Sequence, residues 1–229
     1  MGTGYTRVAV LIDLSFFLER YRLLRCDRDT PPVASQVPEE IAVTARAHID
    51  PAHDLLHRIF IYDCRPLEKK AHNPVSGRSI DFSKTPTFRF RTDLLSLLIR
   101  MRKVVLRLGE LADRKRWRID PETTRHLLSR SIAVDQLPES AVVYDVEQKG
   151  VDVRIALDIA SLAYKKLADR IVLITGDSDF VPAAKLARRE GLDVILDPLW
   201  APIVPSLIEH VDGLHTHWPS ERAPTSSSA

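Results

Sequence analysis

The stretch from Arg170 to Leu196 limits what the chain can fold into more than any other. Ile171-Val172-Leu173-Ile174 is an unbroken apolar run, the pattern of a strand buried on both faces of a parallel sheet. It ends at Thr175-Gly176. Beyond it, Val181-Pro182, Ala183, Ala184, Leu186 and Ala187 carry helical spacing as far as Arg188-Arg189-Glu190-Gly191, where basic residues and a glycine close the last turn. Asp193-Val194-Ile195-Leu196 is then the next strand. This βαβ unit places Asp177, Ser178 and Asp179 outside the carboxyl end of a strand, where open α/β sheets bind their ligands. Helix capping accounts for one of the two aspartates, since a cap needs a single acceptor. Two carboxylates around a serine leave a functional acidic site as the other reading, and the rest of the chain has to decide.

The same junction recurs. Val8-Ala9-Val10-Leu11-Ile12 is a second apolar run, ending on Asp13, and Leu14, Phe17, Leu18, Tyr21 and Leu24 then have the spacing of an amphipathic helix with Ser15 near its start. A strand over Ala141–Val146 leads through Lys149-Gly150 to Asp152, in the first turn of a helix marked by Ile155, Ala156, Ile159, Leu162 and Ala163. Asp158, farther round that helix, reads as a solvent or ion-pair residue. A strand over Ile59–Tyr62 also ends on an aspartate, Asp63, which reads as turning the chain into the long segment that follows.

Between these units the sequence predicts a helix over 39–49, a short helix from Asp50-Pro51 to His57, and a helix begun by Thr92-Asp93 and running to Met101. A strand over Lys103–Leu108, a helix from Asp120-Pro121 to about Ile132 and a short helix through Leu207 and Ile208 complete the pattern. Strands alternating with helices give an α/β fold, and parallel strands set all their carboxyl ends along one edge. Asp13, Asp152, Asp177 and Asp179 then converge if their strands are neighbours. Four carboxylates without a cation repel one another. A hard divalent ion relieves that, and ligands that are all oxygen point to Mg²⁺ or Mn²⁺ rather than zinc.

Composition narrows the partners. The chain of 229 residues suits one domain, expected over 1–218, followed by a Ser-, Thr- and Pro-rich tail over 219–229 that is expected to be disordered. Its longest apolar runs are about strand length, far short of a membrane span, and no signal-peptide core follows Met1, so a cytosolic protein is expected. Cys26 and Cys64 are too few for a disulfide framework. His53 and His57 are four apart but lack a third ligand nearby. Net charge is +2, yet 58–118 holds sixteen Lys or Arg against six Asp or Glu, a net of +10, which leaves −8 elsewhere. Within that block, 65–91 reads as a basic insertion with no regular structure. It carries Arg65, Lys69, Lys70, Arg78, Lys84, Arg89 and Arg91 among Phe82, Phe88 and Phe90. Cations for phosphates and rings for bases suit single-stranded nucleic acid, with Lys69, Lys70 and Arg78 as phosphate contacts. The alternative is a solvated lid that its phenylalanines anchor to the body.

Ile12-Asp13 after an apolar strand, Lys149-Gly150-Val151-Asp152-Val153 opening a helix, and Thr175-Gly176-Asp177-Ser178-Asp179-Phe180-Val181-Pro182 together resemble the NYN domain, LabA-like branch, of the PIN-like nuclease superfamily. The resemblance is strong over Glu147–Leu196 and looser over Tyr5–Leu24. It implies a Rossmann-like three-layer α/β/α sandwich with a mainly parallel central sheet. It also implies Mg²⁺- or Mn²⁺-dependent cleavage of RNA, as an endoribonuclease, with Asp13, Asp152, Asp177 and Asp179 as catalytic and metal-binding residues. Ser15, Lys149 and Ser178 join Lys69, Lys70 and Arg78 as expected substrate contacts, and a homo-oligomer is left open. One position departs from the family: Phe16 stands where an Asn is usual, three residues after the first Asp. That departure keeps a non-catalytic RNA-binding or regulatory module in view. A haloacid-dehalogenase-like phosphatase needs a second acid two residues after its nucleophile, where Ser15 stands here.

Overall fold

The structure, a computed structural model, describes residues 4–27 and 31–219. The expected disordered tail lies, from 220 on, outside the described residues. Strand β1 (Thr6–Asp13) passes without a break into helix α1 (Leu14–Arg25), and α2 (Val37–Ala47) returns the chain to β2 (Asp54–Cys64). The helix expected from Asp50-Pro51 is only a turn. Asp50 accepts from the Ala52 N–H and Asp54 from the Asp50 N–H, after which Leu55 and Leu56 pair with Arg7 and Val8 of β1. Parallel pairing with a buried neighbour outweighs a local start signal.

The segment 65–91 is more regular than its composition suggests. It holds a small antiparallel hairpin, β3 (Lys70–His72) with β4 (Ser79–Asp81), and the first turns of α3 (Pro86–Leu98). Helix α3 starts well before Thr92-Asp93, because Thr85 caps it by accepting from the Phe88 N–H at 3.2 Å and Pro86 fits its first turn. Strand β5 (Val104–Ile119) runs far past the expected Leu108. After α4 (Pro121–Leu128), the second half of β5 pairs antiparallel with β6 (Val142–Lys149), an arm that continues beyond the edge of the sheet. Helix α5 (Val151–Tyr164), β7 (Arg170–Ile174), α6 (Val181–Arg189), β8 (Asp193–Asp197), α7 (Pro205–Ile208) and β9 (Gly213–Leu214) follow.

The sheet order is β6-β5-β2-β1-β7-β8-β9, all parallel except the β5–β6 pair. Counted among the parallel strands alone, this is the Rossmann-like order 3-2-1-4-5-6. Helices cover both faces. Alternate residues of β1 divide between them: Val8, Val10 and Ile12 pack with Leu14, Phe17, Ile41, Leu94 and Leu98 from α1, α2 and α3, whereas Ala9 and Leu11 pack with Ile155, Ile159, Ala184 and Ala187 from α5 and α6. Burial of each large aliphatic side chain contributes roughly 1.5–3 kcal/mol, which is why Val8–Ile12 of β1 and Ile171–Ile174 of β7 are continuous apolar runs rather than alternating. Strand order reverses between β1 and β7. The crevice that this reversal opens at the carboxyl edge lies between Asp13 and Gly176.

Candidate metal and nucleic-acid site

Each of the expected aspartates sits where a strand or turn meets a helix. Asp13 ends β1, and its Oδ1 accepts from the N–H groups of Ser15 (3.0 Å) and Phe16 (3.2 Å). Asp177 follows β7; its Oδ1 accepts from the Asp179 N–H at 2.9 Å, while its own N–H donates to Thr175 Oγ1. Capping is therefore real at both, and it engages one oxygen of each carboxylate. Asp152 stands in the first turn of α5, which Gly150 starts with φ +75°, a left-handed conformation that side chains disfavour. Asp13, Ser15, Phe16, Glu19, Asp177 and Ser178 line one cavity of about 520 Å³. Asp152, Asp177 and Asp179 are exposed, and Asp13 is half-buried.

Electrostatics ties the four together. Burial, helped by the charges of Asp152 and Asp63, pushes the Asp13 carboxyl up to about 6 against the pull of its two backbone hydrogen bonds. Asp152 is also raised, by burial and then by the charges of Asp177 and Asp179. Among the described residues none of the four is in an ion pair with a Lys, Arg or His. Unneutralised oxygen donors that repel one another have the chemistry a hard divalent cation requires. Also among the described residues, no three His, Cys, Asp or Glu are placed to hold one ion as they stand. The fit is to an ion held by one or two carboxylates, with water and substrate phosphate filling the remaining positions, as is usual for Mg²⁺.

Asp63, expected only to turn the chain, is part of this edge. It is buried at the end of β2, with Arg91 of α3 at 2.6 Å. Ser15 Oγ and Gln148 Nε2 lie 3.4 and 3.3 Å from its other oxygen, and Gln148 also donates to Ser15 Oγ at 2.9 Å. Burial still raises the Asp63 carboxyl, even beside Arg91. Four elements meet in this network. Glu19, one turn beyond Ser15 and likewise absent from the expected set, lines the same cavity as Asp13. Phe16 packs on Gly176 so closely that a Cβ there would stand 2.8 Å from its ring. The aromatic residue that replaces the family's usual Asn thus lies across the crevice itself.

Half of the sixteen cations of the basic block are in ion pairs with carboxylates. Lys69, with Asp113 and Tyr144 (2.6 Å), ties the 65–91 segment to the β5–β6 arm. That pairing holds Asp113 down at about 2 and raises Lys69. Arg107 pairs with Asp158 at 2.8 Å, which makes Asp158 the ion-pair residue its position suggested; Arg116 pairs with Asp145, and Arg114 with Glu147. Lys70 and Arg78 are mostly exposed and make long contacts to Asp81 (3.8 Å) and Glu139 (3.3 Å). Lys149 is exposed at the end of β6, and Ser178 beside Asp177. Phe82 stacks near Tyr144 and Trp117, and Phe90 packs into the core, so two of the three phenylalanines are anchors.

A family model described as NYN domain matches residues 80–214, which include Asp152, Asp177 and Asp179 but not Asp13. Over 99 residues the chain is 31% identical to an uncharacterized protein of Methanocaldococcus jannaschii, an alignment that covers 36% of this chain and 41% of that protein. The chain therefore spans about two fifths of the relative's length. A crystal structure of a protein of unknown function from Vibrio parahaemolyticus is similar over 95% of this chain and 96% of that one, at 15% identity and a TM-score of 0.49. Among the described residues no helix is long and apolar enough to cross a membrane.

Proposed function

Because the chain belongs to the NYN domain family, of the PIN-like nuclease superfamily, we propose that it is a ribonuclease of the LabA-like branch that cleaves single-stranded RNA in the cytosol with Mg²⁺ or Mn²⁺. What carries this is the set of carboxylates at the β1/β7 crevice, none in an ion pair with a cation among the described residues, of which Asp13 and Asp152 are raised first by burial and then by neighbouring carboxylates. Groups poised in an unfavourable charge state cluster at functional sites. Asp13, Asp152, Asp177 and Asp179 are the candidates from which one or two carboxylates would hold the ion directly; when bound, it supplies charge for the scissile phosphate and an acidified water. The protein's own part is to fix these oxygens. The cap bonds hold one oxygen of Asp13 and of Asp177 toward the backbone and leave the other for the crevice. Ser15 and Ser178 offer hydroxyls beside them, and Lys149 a cation at the arm's end.

The ring of Phe16 against Gly176 favours a second reading, an RNA-binding NYN module with little turnover. One experiment addresses both. Cleavage of a labelled single-stranded RNA is measured with Mn²⁺ for the wild type, Asp177→Asn and Phe16→Asn, each purified identically. The nuclease reading expects Asp177→Asn to lose turnover by orders of magnitude and Phe16→Asn to keep or raise it. Equal cleavage by the wild type and Asp177→Asn contradicts it. Cleavage that appears only in Phe16→Asn supports the binding module.

A further inference from the structure

A second cavity, of about 420 Å³, lies on the far side of the Asp63 network, between the 65–91 segment, α3 and the β5–β6 arm. Its size falls in the roughly 300–1,000 Å³ range of small-molecule pockets. Its walls are mainly apolar, with the rings of Phe82, Phe88 and Tyr144 and the side chain of Leu111. Arg65 and Arg91 supply the cations, Arg65 exposed at the rim. A hydrogen-bonded wall separates and links the cavity and the acidic crevice: Arg91 donates to Asp63, and Gln148 donates to both Asp63 and Ser15. The Ser15 N–H in turn donates to Asp13. Asp63, Arg91 and Gln148 thus line one cavity, and Ser15 and Asp13 line the other.

We propose that this cavity seats one unstacked nucleotide next to the scissile phosphate, its base among Phe82, Phe88 and Tyr144 and its phosphate leaving past Arg91 toward the acidic crevice. The proposal rests on the nuclease reading and names its substrate class. Flat apolar walls match the face of a base, and the guanidinium groups of Arg65, exposed, and Arg91, held by Asp63, are the cations a backbone would pass. Phe82 and Tyr144 are held by their own packing; Phe88, half-buried on the first turn of α3, is the ring whose loss disturbs the core least. A base must leave its stack to enter, so paired RNA is excluded unless it opens.

The test uses a short oligoribonucleotide with one 2-aminopurine, titrated with full-length protein in EDTA so that turnover plays no part. The fluorescence of the probe should change as the base enters the ring-lined cavity. Phe88→Leu keeps apolar bulk but removes the aromatic face, and should weaken binding about tenfold and abolish the fluorescence change. With Mn²⁺, the same variant should raise KM and leave kcat near the wild-type value. A 4-thiouridine oligonucleotide, cross-linked to the wild type, should attach within Phe82–Phe88 or Val143–Gln148. Wild-type affinity and fluorescence in Phe88→Leu, or equal binding of the fully paired duplex, would overturn the seat whether or not RNA is cleaved. Intact, Phe88-dependent binding with no cleavage would support the seat and remove the nuclease reading.

Discussion

Two charged regions face each other along the carboxyl edge, and they treat their charges in opposite ways. On the arm and the 65–91 segment, cations and carboxylates pair: Lys69 with Asp113, Arg116 with Asp145, Arg91 with Asp63. Asp113 and Asp145 are accordingly held below the ordinary carboxylate range by the hydrogen bonds of their partners. At the β1/β7 crevice, Asp13 and Asp152 are raised, first by burial and then by the charges of neighbouring carboxylates. Half of the cations in this basic stretch are thus structural ties, whereas a few scattered aspartates hold charge that no cation pairs with among the described residues. Charge that folding has not neutralised is the better guide to a site.

The largest expected break in this contrast comes from Asp13→Asn. Asn caps a helix about as well as Asp, so the start of α1 should persist. The folded-state carboxyl titrates near 6, above the ordinary value of 3.8, so the folded protein binds a proton more readily than the unfolded chain. The ionised Asp13 then costs nothing below about pH 4 and lowers stability progressively as pH rises through 6. Asp13→Asn should therefore be more stable by up to about 3 kcal/mol at neutral pH without metal, and equal to the wild type at pH 4. Its RNA turnover should fall by orders of magnitude. Denaturant titrations at the two pH values check the first part. A variant less stable than the wild type at pH 7 would mean that Asp13 is a cap and nothing more.

A smaller effect separates tie from grip within the basic region. Lys69→Ala breaks the link between the 65–91 segment and the arm, and should lower the melting temperature while leaving the salt dependence of RNA binding almost unchanged. Lys70→Ala with Arg78→Ala should do the reverse. Each exposed cation that meets a phosphate contributes roughly 0.7 to the salt slope on a single strand, so the double variant should lose about 1.4. Binding isotherms between 50 and 200 mM salt, about the range over which such contacts weaken, check it. An unchanged slope would make both residues a solvated surface.

The strand-to-helix positions of Asp13 and Asp177 were legible because their pattern is local. An apolar strand, a carboxylate and an amphipathic helix occur within about two dozen residues at Asp13 and again at Asp177. The α/β class followed from the alternation of such units, and the Rossmann-like sandwich from the family resemblance. What sequence left out depends on distant partners. Asp63 looks like any strand-end aspartate until Arg91, 28 residues away, and Gln148, 85 away, close around it. The same holds for Lys69, whose role is set by Asp113 and Tyr144, and for the far half of β5, which is a strand because β6 pairs with it. At Asp50-Pro51 a correct local start signal lost to pairing with β1. At Thr85-Pro86 an equally good signal lies inside a stretch whose charge suggests a loop.

Direct titration of the metal-free protein with Mn²⁺, with the free ion followed by electron paramagnetic resonance, tests the central claim without RNA or turnover. The crevice should take up Mn²⁺, Asp152→Asn should bind it at least about tenfold more weakly, and the wild type alone should gain melting temperature as the ion saturates it. Equal uptake by the wild type and Asp152→Asn, or none by either at millimolar Mn²⁺, would contradict the assignment of these carboxylates as a metal site.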